Sequence, residues 1–248
     1  MNVLISNTKN EFYKLVSRKK YIVLLILFLA VCLLRLGGSA LIEKISMGVV
    51  QIRTNMMLEM LPFLAEIMTP LVVFMAATDL FGSEMQEDTM KAVLMRPITR
   101  LKVITSKILA AFLIGCLYYL AVFVICAVLQ AVTGSALLPV LFTSLGAYLI
   151  DLIPMLGLVL MGVLVNMLTA SPTLSMLLSI GIYAFFKYAN YFLAPLGQMI
   201  FTAYLQWHRI WIGATLPFSA MISKVGLLFG TMLIFFTISY ILFDKKEF

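Results

Sequence analysis

The run TSKILAAFLIGCLYYLAVFVICAVLQAV, Thr105–Val132, contains a single charge, Lys107 near its start. About 20 largely apolar residues suffice to cross about 30 Å of hydrocarbon as a helix, the form in which each segment satisfies its own backbone polar groups. The run exceeds that length and reads as a transmembrane helix. Five further stretches read the same way: Tyr21–Ile42, Pro62–Phe81, Leu141–Leu168, Leu174–Leu196 and Ile222–Phe243. The predicted fold class is therefore an all-α integral membrane protein with six transmembrane helices, in a single domain over residues 1–248. The fourth stretch is longer than needed and is expected to tilt or bend at Pro154.

Composition excludes a water-soluble body. Of the 248 residues 63% are hydrophobic and 12% charged, too little polar surface to cover a molecule of this size. Cys32, Cys116 and Cys126 all fall inside apolar runs and read as small core hydrophobes, with no disulfide framework. The formal net charge of +7 reads as topology, because Lys and Arg are retained on the cytoplasmic flanks of spans. Lys9, Lys14, Arg18, Lys19 and Lys20 precede the first span; Lys91, Arg96, Arg100, Lys102 and Lys107 follow the second; Lys245 and Lys246 follow the last. Both termini are expected in the cytoplasm, although Lys44, Arg53 and Arg209 fall in connections assigned outside. A basic start, an apolar stretch and Gly38-Ser39-Ala40 also resemble a secretory signal, but the long basic region and the spanning length of the apolar run point to a retained helix.

Residues 1–20 are expected to form an interfacial helix. Leu4, Ile5, Thr8, Phe12, Leu15 and Val16 recur at helical spacing, and Lys9, Glu11, Lys14 and Arg18 are placed on the opposite side, which suits a helix lying in the headgroup region. A solvated basic tail is the alternative.

The parts of an enzyme are missing. His208 is the one histidine in the chain, so a histidine-based metal cluster is excluded within one chain. No Gly-x-Ser-x-Gly elbow, His-Glu-x-x-His helix or Gly-x-x-x-x-Gly-Lys-Ser/Thr loop occurs. No catalytic, cofactor-binding or metal-binding residue is assigned, and no nucleic-acid partner is expected. His208, with Trp207, Arg209 and Trp211 in the outer connection 197–221, reads as part of an interfacial aromatic belt.

The connection 83–104 is the long cytoplasmic one. Met90–Met95 can form a short helix, with Asp88 or Thr89 as N-cap and Pro97 as its stop, and Thr99 can cap the third span. Such a helix offers Val93, Leu94 and Met95 to a groove, as a docking device; an ordinary solvated loop is the other reading.

This segment resembles the signature of ABC-2-type transporter permeases, a Phe-x-x-Glu-x-x-x-Gly-Thr stretch, then a Leu-x-x-Pro-Ile/Val-Ser/Thr-Arg turn and a Lys entering the next span. Phe81, Glu84, Thr89, Leu94, Pro97, Ile98, Thr99, Arg100 and Lys107 occupy those places, with Asp88 where the family commonly has glycine. The basic amphipathic start, the six-span plan, the short inner connection Asn166–Thr173 and the apolar outer connection also resemble the family. The resemblance implies a permease that works as a dimer, with a second copy of itself or a related permease, together with two cytoplasmic ABC ATPase subunits. ATP and Mg would then be held by the partner ATPase. It implies a coupling helix seated in an ATPase cleft, with the coupling role carried onto Glu84, Thr89, Met90, Val93, Leu94, Pro97 and Arg100. Glu84 and Arg100 could pair with each other or with the ATPase.

Ionisable residues inside spans are expensive and demand partners. Arg35 and Glu66 lie towards outer ends, where snorkelling or mutual pairing is expected, and Asp79 can reach the cytoplasmic interface. Asp151 and Lys187 are expected at comparable depth and able to form an intramembrane ion pair, structural or gating. Gly226 and Gly230 form a Gly-x-x-x-Gly face, expected to pack inside the subunit. Met47, Met56, Met57 and Met60, with apolar neighbours, suggest an outer amphipathic stretch.

The resulting expectation is the permease subunit of an ATP-driven exporter in the plasma membrane. The substrate class suggested by resemblance to bacteriocin and antimicrobial-peptide exporters is amphipathic peptides or compounds. The rival is an ion-coupled secondary transporter or channel using Asp151 and Lys187, against which stands the lack of an internal repeat or matched broken helices.

Overall fold

The computed structural model describes residues 2–45, 55–87, 89–90, 98–132, 137–169, 171–192, 200–212 and 217–246. No strand occurs among the described residues. The long elements are α1 (Asn2–Val16), α2 (Lys19–Ile45), α3 (Met56–Gln86), α4 (Arg100–Val132), α5 (Leu137–Leu168), α6 (Pro172–Phe192) and α7 (Phe218–Lys245). Four stretches are long and apolar enough to cross a membrane: Met56–Gln86, Arg100–Ala131, Val140–Leu168 and Ser219–Lys245. The helices α2 and α6 stand where the first and fifth spans are expected. Helices α2, α3 and α7 extend past both ends of their apolar runs, because a helix continues past the last apolar residue until a cap or the start of a turn satisfies its end.

Cross-links fix the antiparallel order. At one end, here called distal, Asn55 caps α3 by accepting from the amides of Met57 and Leu58 and donates to Ser144 Oγ at 2.7 Å. Met56 N donates to Gln130 Oε1 at 3.1 Å, and Tyr148 Oη donates to the Met57 carbonyl at 3.0 Å. At the proximal end, Asn7 of α1 donates to Ser106 of α4 at 2.6 Å, and Tyr118 of α4 donates to the Tyr21 carbonyl of α2 at 2.6 Å. The helix α3 lies against α4, α5 and α6, with α7 on α5 and α1 across the start of α4. Among the described side chains of α2, Tyr21, Phe28 and Cys32 are buried on one stripe, while Ile22, Val23, Ile26, Leu27, Leu33 and Leu34 face outward.

Helix α3 is not uniform. Two π-turns interrupt it, Leu64–Met68 and Thr78–Gly82, and each carries one of its buried or half-buried acids, Glu66 and Asp79. Such turns insert one extra residue and turn the side chains after it to another face. Pro70 has no N–H to give the carbonyl of Glu66 four residues earlier, and Tyr183 of α6 donates its hydroxyl to that carbonyl at 2.7 Å. At the second π-turn, Gly82 approaches the α5–α6 connection so closely that a Cβ would stand 2.7 Å from Asn166 Oδ1 and 3.3 Å from Pro172 Cα.

Three expectations are corrected. Glu11 is on the inward face of α1, not the solvated one: Asn7, Thr8, Glu11 and Leu15 are buried, while Val3, Ile5 and Tyr13 are exposed. Polar partners on α3 and α4 pull the polar stripe inward and turn part of the apolar one outward. Gly226 and Gly230 do not pack inside the subunit, since a Cβ at either would meet nothing within 4 Å; α7 buries the Leu228 and Met232 side instead. Met57 and Met60 sit in the core at the start of α3, while Met47 lies outside the described residues. Helix α5 runs unbroken through Pro154.

Candidate functional site

Where α3 leaves the bundle and α4 begins, three elements bring their charges together. Phe81 and Glu84 are three residues apart on the last turns of α3 and so share a face. Lys107 enters between them from the second turn of α4. Its side chain is 0% exposed, which is tolerable only because it is paired. Lys107 Nζ donates to Glu84 Oε2 at 2.7 Å, lies 3.3 Å from Glu11 Oε1, and stands 5.9 Å from the centre of the Phe81 ring. Lys14 of α1 closes the cluster from the outside, donating to Glu84 Oε1 at 2.6 Å and Glu11 Oε2 at 3.0 Å. Two carboxylates and two ammonium groups alternate, so each charge touches opposite ones. Burial works to lower the Lys14 pKa, but the hydrogen bond to Glu84 and the attraction of both carboxylates outweigh it, and Lys14 is held above the ordinary lysine value.

One turn deeper, Asp79 is anchored in the same way. Its carboxylate accepts from Lys20 Nζ at 2.6 Å and Tyr21 Oη at 2.7 Å, with Arg18 at 2.8 Å. The chain between α1 and α2 is thereby fastened to α3 at the second π-turn.

Arg100, at the first position of α4, binds neither Glu84 nor a solvated surface. Its guanidinium donates to the carbonyls of Asp244 and, at 3.4 Å, of Phe243 and Lys246. These are the orphan carbonyls at the C-terminal end of α7, where the helix dipole favours a cation. Phe243 meets Phe81 edge to face, with centroids 6.5 Å apart, and Lys246 Nζ reaches Met85 Sδ at 3.4 Å. The end of α7 therefore rides on the same joint.

Of the residues assigned to coupling, Glu84 and Met90 are buried, Arg100 is engaged with α7 and Thr89 is exposed, its hydroxyl donating to the Glu84 carbonyl at 3.3 Å. Val93, Leu94 and Pro97 lie outside the described residues. Glu84 and Arg100 do not pair with each other; Glu84 takes Lys107 and Lys14, and Arg100 takes the α7 carbonyls.

The intramembrane charges also take partners other than those expected. Lys187 of α6 donates to Glu66 Oε1 at 2.5 Å, and Gln206 Nε2 donates to the same oxygen at 2.7 Å. Asp151 of α5 is 0% exposed and accepts from the backbone N–H of His208 at 2.7 Å, with His208 Nδ1 2.7 Å from its other oxygen. The Asp151–Lys187 pair therefore does not form; the two charges take separate partners. The reason lies in the segment Ile200–Ile212, a 3₁₀ turn at Phe201–Tyr204 and a short helix at His208–Trp211. It folds back between α5, α6 and α7, Phe201 reaching Gly157 and Phe235 midway along α5 and α7, and buries Phe201, Thr202, Leu205, Trp207, His208 and Ile210. His208 is thus a buried partner of Asp151 and not a belt residue. The sequence signal for this was available: an intramembrane aspartate and one histidine. The side chain of Arg35 lies outside the described residues.

No group of three or more His, Cys, Asp or Glu able to hold a metal ion occurs among the described residues. The joint links α1, α3 and α4 by charge, and Arg100 links α4 to the end of α7. No curated protein matches the chain. The profile of the ABC-2 family transporter proteins matches residues 8–190, from the middle of α1 to near the end of α6, and includes the Phe81, Glu84, Arg100 and Lys107 joint. The chain belongs to the ABC-2 transporter family and is a multi-pass membrane transport subunit of it.

Proposed function

We propose that the chain is the permease subunit of an ATP-driven exporter, built of six spans with both termini cytoplasmic and moving amphipathic compounds, antimicrobial peptides among them, out of the cell. It works as a pair of permeases on two ABC ATPase subunits, which hold ATP and Mg. The observation that carries this reading is the joint of Phe81, Glu84 and Lys107. Glu84 before the connection that follows α3 and Lys107 after it meet in a buried ion cluster. A force applied to that connection by a closing ATPase pair reaches α1 through Glu11 and Lys14, α4 through Lys107, and α7 through Arg100. In this reading Val93, Leu94 and Pro97 make the contact with the ATPase, and Thr89, Met90, Glu84 and Arg100 carry it inward. The high share of apolar residues around the bundle and the absence of a dense ring of fixed charge suit an amphipathic cargo.

The test is a search of the neighbouring reading frames for an ABC ATPase and co-purification with it, followed by ATPase assays in nanodiscs with candidate peptides. Replacing Val93 and Leu94 by aspartate is expected to abolish substrate-stimulated ATP hydrolysis while the protein still inserts in the membrane. Stimulation at the wild-type level in that variant would sink the docking role, and failure of any ATPase to co-purify would sink the exporter.

A further inference from the structure

The Glu66 cluster is a half-open polar site within the apolar length of α3. Glu66 and Lys187 are 30% and 22% exposed in their side chains, so they are neither sealed in the core nor free in water. Polar groups so placed within spans face a cavity or a partner, not lipid. Two clefts meet at Glu66. One, of about 280 Å³, runs between α3 and α6, its walls formed by Pro70, Leu71, Ile180 and Ala184 with the rings of Tyr183 and Tyr188. The other, of about 230 Å³, lies under the segment Ile200–Ile212 beside Tyr204, Arg209 and Ile210. An apolar chain fits the first, and a polar head fits where they join.

The charges at that junction restrict the head. A ligand carrying only a cation would take Glu66 and strand Lys187; one carrying only an anion would take Lys187 and strand Glu66. A half-buried charge left without its partner is costly. A ligand carrying both charges exchanges partners and strands neither. Gln206 adds a second restriction: its Nε2 holds Glu66, while its Oε1 is buried with no hydrogen-bond partner among the described residues. That unused acceptor suits an N–H donor, which a primary ammonium has and a trimethylammonium lacks.

We propose that Glu66, Lys187 and Gln206 form a binding site for a zwitterionic amphiphile bearing a primary ammonium and a phosphate or carboxylate. Its ammonium takes Glu66 Oε1 and Gln206 Oε1, its anion takes Lys187, and its chain lies in the α3–α6 cleft. The site would supply substrate selectivity to the exporter and in that role rests on the permease reading, but binding itself needs no ATPase. A bilayer aminophospholipid and a soluble amphiphile share this chemistry.

Trp207 and Trp211 are the chain's two tryptophans and both lie on the segment that supplies Gln206, so intrinsic fluorescence reports on the site. In neutral maltoside detergent, dodecylphosphoethanolamine is expected to give a saturable change, with a midpoint about tenfold below those of dodecylphosphocholine, dodecyltrimethylammonium and dodecyl phosphate, the effect of one charge-assisted hydrogen bond. Glu66→Gln and Lys187→Gln should each raise the midpoint by about the same factor. Gln206→Met leaves both charges in place and should erase the preference for phosphoethanolamine over phosphocholine. Nanodiscs of phosphatidylglycerol with and without phosphatidylethanolamine identify the source: a spectral change on including the bilayer lipid assigns the site to membrane lipid, and a response only to the added amphiphile assigns it to a soluble ligand. Equal midpoints for the four amphiphiles, or wild-type midpoints in Glu66→Gln and Lys187→Gln, would overturn the proposal and leave the ATPase contact untouched. Loss of ATPase co-purification with headgroup selectivity intact would do the reverse.

Discussion

Lys107 sits fully buried at the start of a strongly apolar helix, and only its two carboxylate neighbours make that possible. Replacing it by Met leaves Glu84 with Lys14 alone and Glu11 likewise. Breaking one side of a buried pair costs about 3–5 kcal/mol, so Lys107→Met and Glu84→Gln should each lower the thermal unfolding temperature in detergent substantially. The double variant should lose clearly less than the two combined, because the second change removes a charge that has already lost its buried partner; simple additivity would show that the two groups do not couple. Gly82 is a second single-residue constraint. Gly82→Ala must push Asn166 and press on the Pro172 backbone, an overpacking worth about 1–3 kcal/mol. Adding Asn166→Ala should recover only part of that loss in the same melting assay, since the Pro172 contact is backbone and remains.

Among elements, α7 has an end that depends on another helix. Its last carbonyls are capped by a side chain from α4, Arg100. Arg100→Gln removes the cation that answers the helix dipole and is expected to fray α7, at a cost of about 1 kcal/mol. Faster amide exchange over residues 240–246 and easier tryptic cleavage after Lys245 would report it, with Arg100→Lys intermediate. Unchanged exchange in Arg100→Gln would mean that the Phe81–Phe243 contact alone holds the end. Helix α1 is held differently, by a polar face. A sequence helical wheel sorts residues into apolar and charged sides, but Glu11 and Asn7 are drawn inward by Lys107 and Ser106, so the wheel misassigns the buried face.

At the scale of the whole molecule, polar stitches hold both ends of the bundle. The proximal ones tie α1, α3, α4 and α7. The distal ones tie Ile200–Ile212 to α3 through Glu66 and to α5 through Asp151. Asp151→Ala removes both acceptors of His208 and leaves its backbone N–H buried without a partner, at a cost of about 3 kcal/mol. The expected outcome is release of this segment. Trp207, 2% exposed in the folded state, should then shift its fluorescence to the red and become open to acrylamide quenching. A spectrum identical to wild type would mean that packing of Phe201, Leu205 and Trp207 suffices to hold the segment.

The class of the molecule was legible in the residues themselves. Apolar runs of spanning length leave the backbone no alternative to helices, and the spacing of Phe81, Glu84, Arg100 and Lys107 marks the family without any tertiary information. What the tertiary structure decided was pairing. A charge inside a span must find an opposite charge or a donor, but which one depends on the rotation of its helix and on how far each chain segment folds back. The two π-turns of α3 shift that rotation at Glu66 and Asp79, and the return of Ile200–Ile212 onto α5 gives Asp151 to His208 in place of Lys187. Neither follows from counting residues along separate helices, because the partner of a buried charge is set by the packing of several helices at once, and sequence periodicity describes them one at a time.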